Sequence, residues 1–151
     1  MTSPSAALNQ NLSGRQDVSP VAARLYAIFT GITVLFIFLQ SITAGSFIED
    51  GIPDSAKQTW TDVHGVLAYP IMVFALIAAI IALRSLRTAG RVSVFAAILF
   101  VASVAQWLSG HAISGLGMDW ITPFHVALAF IIYGLAIWLS VQSAQLRRLS
   151  R

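Results

Sequence analysis

The sequence predicts an all-α membrane protein, a four-helix up-down-up-down bundle built from two pseudo-symmetric helical hairpins. Composition is the first sign: of the 151 residues, 57% are hydrophobic and only 10% charged, and mean hydropathy is +0.78. That balance is far from the one a soluble domain shows. Length is the second. Four apolar stretches, at about 21–44, 61–83, 92–113 and 122–146, each reach the roughly 20 residues that carry a helix across about 30 Å of hydrocarbon. Charge placement is the third, because eight of the nine basic residues fall on one side of the four stretches. A β-barrel would need strict polar and apolar alternation, which is missing.

In chain order, residues 1–20 are rich in Ser, Ala, Asn and Gln and carry two prolines; they read as a disordered cytoplasmic tail. The first span is too long for a signal-peptide core, and its exit through Gln40, Thr43 and Ala44 lacks a cleavage pattern, so it is expected to stay in the membrane. The second span follows Trp60, with Thr59 or Thr61 as its expected cap; the fourth follows Trp120, with Thr122 and Pro123 as cap and first-turn pair. Both tryptophans mark an interfacial belt.

Arg15 and Arg24 precede the first span, Arg84, Arg87 and Arg91 separate the second from the third, and Arg147, Arg148 and Arg151 follow the fourth. The opposite side holds Lys57 with Glu49, Asp50, Asp54, Asp62 and Asp119. The positive-inside rule then expects a multi-pass plasma-membrane protein with both termini cytoplasmic and both acidic loops outside. The net charge of +3 is thus a topology signal and no indication of nucleic acid. With no cysteine, disulfides, thiolate metal sites and covalent c-type haem attachment are excluded.

The two halves of the chain resemble each other. Gln40-Ser41-Ile42-Thr43-Ala44 answers Gln106-Trp107-Leu108-Ser109-Gly110, 66 residues later. Asp62-Val63-His64-Gly65-Val66-Leu67-Ala68 answers Pro123-Phe124-His125-Val126-Ala127-Leu128-Ala129, with the histidines 61 residues apart. Both histidines are expected within about the first turn of their helices.

In an up-down-up-down bundle the second and fourth helices occupy diagonal corners, about 11–14 Å apart when neighbouring axes are 8–10 Å apart. His64 and His125, at equal depth, would face each other across the core, a gap suited to two imidazoles reaching one iron from opposite sides. Ala68 and Ala129, at i+4, would leave room beside each ring, while Gly45 and Gly110 offer small surfaces on the other two helices and Gln40 and Gln106 line the same end. The expected cofactor is one haem b, with His64 and His125 as axial ligands. Two alternatives stand beside it: structural histidines that bond a carbonyl or interfacial water, and another metal, proton or ligand site. Zinc would want three or four protein ligands, with His111 as a third. His111 has no partner in the first hairpin, since the 66-residue offset pairs it with Gly45. It is a candidate for a haem propionate, a quinol, or a replacement ligand, against the bland reading of an interfacial histidine in water.

The hairpins, the histidine in the outer part of each even-numbered helix and the separation of those histidines resemble one four-helix half of a haem A synthase. The resemblance runs from about Arg24 to Arg148, and small single-bundle bis-histidine membrane cytochromes are similar. It implies His64 and His125 as axial ligands. The acidic residue that family carries one turn before its histidine is matched by Thr61 at i−3, with Asp62 at i−2 on another face; the second bundle and the loop cysteines have no counterpart.

The expected function is a membrane b-type cytochrome that holds one haem near the extracytoplasmic side and passes electrons, with a quinol or a redox protein as partner. A non-catalytic membrane subunit or assembly factor, and a haem A synthase-like protein that modifies or carries haem, are the alternatives. A transporter is the weaker reading, because the spans carry no buried acid and no broken-helix pair beyond Pro70. The bilayer is the one partner the composition itself names, and oligomeric state is left open.

Overall fold

A computed structural model describes residues 19–86 and 89–150. It contains four long helices, α1 (Pro20–Phe47), α2 (Asp54–Ser85), α3 (Gly90–Leu116) and α4 (Thr122–Leu149), with a short 3₁₀ turn, Asp119–Ile121, before the last. Each is long and apolar enough to cross a membrane. The chain is an all-α, multi-pass four-helix membrane bundle.

Sequential antiparallel helices pack side by side and α1 closes the square against α4. The diagonal pairs α1/α3 and α2/α4 make no close backbone contact among the described residues. The described arginines, Arg24, Arg84, Arg91, Arg147 and Arg148, therefore gather at one end of the bundle and the histidines at the other.

The buried residues explain why this arrangement forms. In α2 they are Ala68, Ile71, Ala75, Ala78, Ala79 and Ala82, and in α4 Ile132, Ala136, Leu139, Ser143 and Leu146. Steps of three and four put them on one stripe, the geometry of left-handed helix packing at about 20°. Alanines let helices approach closely where no hydrophobic effect drives them together. The outer face stays apolar, with Leu35, Phe38, Ile80, Val101, Phe130 and Ile131 exposed to the bilayer position.

The duplication continues into this core. Tyr26, Thr30, Thr33 and Ile37 of α1 are buried, and so are Val92, Ala96, Leu99 and Ser103 of α3, each 66 residues on. Likewise His64, Ala68, Ile71 and Ala75 recur 61 residues later as His125, Ala129, Ile132 and Ala136. Equivalent positions of the two hairpins thus face the same interior.

Helix ends differ from the sequence expectation at three helix starts. Ser19 and Pro20, assigned to the tail, begin α1: Pro20 is its first residue and the Ser19 hydroxyl accepts from the Ala22 N–H at 3.5 Å; residues 1–18 of that tail lie outside the described residues. α2 starts at Asp54 after Pro53, so Thr59 and Thr61 are internal and donate to the carbonyls of Ser55 and Lys57, both at 2.9 Å. His64 is consequently some three turns into α2, not in its first turn. Thr122 is the first residue of α4 and makes no side-chain cap, so His125 remains in the first turn.

At the arginine end the α2–α3 corner is closed by a side chain. Ser93 Oγ lies 2.8 Å from the Ala82 carbonyl and 3.2 Å from that of Leu86, adding a side-chain donor to acceptors that already take the backbone N–H groups of Leu86 and Ala89. At the other end α3 stops at Gly117, whose φ of 66° is the left-handed conformation that favours glycine.

Candidate functional site

α2 and α4 bring His64 and His125 together across the diagonal, with ring centroids 6.4 Å apart and planes at 57°. Each ring is anchored by the odd-numbered helix of its own hairpin. His64 Nδ1 is 3.0 Å from the Gln40 carbonyl oxygen and 3.2 Å from Thr43 Oγ1, and the Thr43 hydroxyl itself donates to that carbonyl at 2.9 Å. His125 Nδ1 is 2.8 Å from Ser109 Oγ, whose hydroxyl donates to the Gln106 carbonyl at 2.9 Å. The Gln40 carbonyl only accepts, so it takes the His64 Nδ1–H, and the Gln106 amide N–H that faces His125 Nε2 leaves that ring's proton on Nδ1. In both histidines Nδ1 therefore carries the proton and Nε2 presents its lone pair.

The two glutamines diverge where the rest repeats. Gln40 Nε2 donates to the His64 backbone carbonyl at 3.1 Å, leaving the His64 Nε2 lone pair free of protein donors among the described residues. Gln106 Nε2 sits 3.0 Å from His125 Nε2, while Gln106 Oε1 is buried with no hydrogen-bond partner among the described residues. A buried amide oxygen without a donor is costly.

Small and aromatic neighbours complete the site. A Cβ on Gly110 would lie 3.1 Å from His125 Cε1, so only glycine leaves the ring its place. Ala68 is buried and Ala129 half-buried, one turn along from their histidines. Phe47, at the end of α1, stands edge-on to His64 at 5.4 Å and 83°. Gly45, by contrast, is exposed and a Cβ there would meet nothing within 4 Å; the structure leaves it outside the site. His111 is exposed too, stacked against Trp107 with centroids 6.0 Å apart and planes at 20°. It lies on the outer side of α3, away from the facing pair. Trp60 and Trp120 are exposed at the same end.

These residues suit a planar metal cofactor held through two nitrogens. The ring centroids, 6.4 Å apart, are close enough that His64 and His125 would hold one metal ion between them. An Nδ1–H held by a carbonyl or hydroxyl is the usual outer-shell support of a ligating histidine. Gly110 supplies the clearance beside one ring, and ligation through His125 Nε2 calls for the Gln106 amide to leave that nitrogen. Among the described residues no group of three or more His, Asp or Glu side chains gathers as a metal site. Two open grooves of about 330 and 340 Å³ lie at the arginine end instead, one between the start of α3 and the end of α4, the other beside Arg24 and Arg147.

Thr43 and Ser109 were not among the site residues expected from the sequence. The signal was present, since each stands three residues after its glutamine at the same 66-residue offset. No protein-family model, curated protein or solved structure matches the chain.

Proposed function

We propose that the chain is a small membrane b-type cytochrome, with one haem b held between His64 and His125 and electrons exchanged with a quinol or a redox protein. The observation that carries this reading is the pair of facing imidazoles, 6.4 Å apart, each with its Nδ1–H engaged by its own hairpin. A bis-histidine haem supplies one-electron transfer between its ferric and ferrous states. The protein's part is to orient both rings, to keep both Nε2 atoms unprotonated, and to exclude water from the core with Phe47, Ala68 and Ile71. The arginine asymmetry supports a plasma-membrane protein with cytoplasmic termini and the site near the outer surface. The likeness to one half of a haem A synthase belongs to the same proposal.

A second reading is favoured by one contact. Gln106 Nε2 already satisfies His125 Nε2, as a structural histidine in a non-catalytic subunit or assembly factor would require. Purified protein decides between them. A reduced-minus-oxidised spectrum with low-spin haem bands, lost in His64→Ala and in His125→Ala, is the expected result; a colourless protein reconstituted with haem to no effect refutes the cytochrome reading.

A further inference from the structure

At the arginine end, the seam between the start of α1 and the end of α4 opens into a groove of about 340 Å³ lined by Pro20, Arg24, Arg147 and Ser150. The two guanidiniums make no ion pair or side-chain hydrogen bond among the described residues. The Ser150 hydroxyl is engaged, donating to the Arg147 carbonyl at 3.3 Å.

Charge around this groove is one-sided. The sequence puts eight arginines and one carboxylate, Asp17, on this side of the spans. Asp17 lies outside the described residues, and the described carboxylates, Glu49, Asp50, Asp54, Asp62 and Asp119, are all at the histidine end. One carboxylate does not balance eight cations. The start of α1 adds to the excess: its first turn carries no acid, and Arg24 follows one turn on, near the positive end of the helix dipole, which disfavours a cation. An anion from outside the chain relieves both.

Depth says which anion. α1 has 28 residues, about 42 Å of helix at 1.5 Å per residue, against about 30 Å of hydrocarbon, so each end rises roughly 6 Å into the head-group layer. Arg24, four residues from the start, stands at the hydrocarbon boundary, from which a long side chain reaches the level of lipid phosphates. Ile28 and Leu35, exposed on the same face of α1, continue from it toward the midplane.

We propose that this groove seats the head group of an anionic phospholipid, its phosphate between the Arg24 and Arg147 guanidiniums and an acyl chain along Ile28 and Leu35. A phosphate suits two planar forks of N–H donors, and basic pockets between helices at a membrane surface bind such head groups. A zwitterionic head group would bring a further cation to a site that already has two. Nothing in this site involves the facing histidines.

The test is titration of the delipidated full chain, in a non-ionic detergent, with short-chain phosphatidylglycerol, read by native mass spectrometry and by the unfolding midpoint. Saturable binding of one lipid is expected for the parent, weakened about five- to tenfold by Arg24→Gln and by Arg147→Gln, and less by Arg24→Lys, which keeps the charge without the fork. Arg84→Gln and Arg148→Gln, at the same end but outside the groove, should bind as the parent does. Equal losses in all four glutamine variants would show a diffuse charge effect and overturn the site, as would equal affinity for short-chain phosphatidylcholine or the absence of saturable binding. Displacement of the lipid by inorganic phosphate at matching concentrations would assign the groove to free phosphate and overturn the lipid.

Discussion

Gly110 sits directly beneath the His125 imidazole, so close that a single added carbon would stand 3.1 Å from Cε1. That distance is tighter than ordinary van der Waals contact, and the ring is already held at Nδ1 by Ser109 at 2.8 Å and at Nε2 by Gln106 at 3.0 Å. It has little freedom to retreat. Gly110→Ala is expected to destabilise the folded bundle by about 1–3 kcal/mol, the usual cost of overpacking a tight site, and to lower haem retention. Gly45→Ala, where a Cβ meets open space, should leave both unchanged. Thermal unfolding in detergent and haem content per chain check the pair together; equal behaviour of the two variants contradicts the assignment.

The hydroxyls that orient the imidazoles are not equivalent. His64 Nδ1 retains the Gln40 carbonyl at 3.0 Å when Thr43 is removed, whereas Ser109 is the closer partner of His125 at 2.8 Å. Ser109→Ala should therefore weaken cofactor affinity by about 10–100-fold, the range for loss of an outer-shell partner, and Thr43→Val by less. Titration of the stripped protein with haem measures both, and a larger loss in Thr43→Val would show that the hydroxyls do not act in this way.

At the far end of the molecule, Ser93→Ala removes one donor from two buried carbonyls, those of Ala82 and Leu86. Both carbonyls keep a backbone donor, so the expected loss of stability is that of one hydrogen bond, about 0.5–1.5 kcal/mol, read as a lower unfolding midpoint, with the haem spectrum unchanged because the histidines lie at the opposite end.

Orientation is open to a direct check because the chain has no cysteine of its own. Ser55→Cys, in the exposed first turn of α2 beside the first acidic connection, should react with a membrane-impermeant maleimide added outside intact cells. Labelling only after the cytoplasmic face is opened would invert the topology and move the site with it.

Hydropathy alone located the four spans, since lipid and protein interior both demand apolar side chains and the backbone must satisfy itself as helix. It misjudged the start of α2 because Asp54, Lys57 and Gln58 are polar enough to read as loop, though nothing in them breaks a helix. There Thr59 and Thr61 turn their hydroxyls back to i−4 carbonyls instead of capping. The facing of His64 and His125 followed from connectivity, because short loops force the even-numbered helices onto a diagonal. The parts contributed by Thr43 and Ser109 did not follow, since a hydroxyl in a membrane helix ordinarily bonds its own backbone, as Ser41 and Ser103 do. Only the side-chain geometry distinguishes these two. Gly45 and Gly110 looked interchangeable as small residues; packing separates them, because smallness matters only where a ring approaches.

Each imidazole is tied to the helix that precedes it in the chain, His64 to α1 and His125 to α3, and none of these ties crosses from one hairpin to the other. The gap between the two rings is accordingly a property of how the hairpins seat against each other. Side chains remote from the site, such as Ala75, Ala78, Ala136 and Leu139 on the facing stripes, act on it as spacers. A methyl group added or removed there would tune the distance between the nitrogens while leaving every local hydrogen bond intact, so the bundle behaves as a caliper whose jaws are the two histidines.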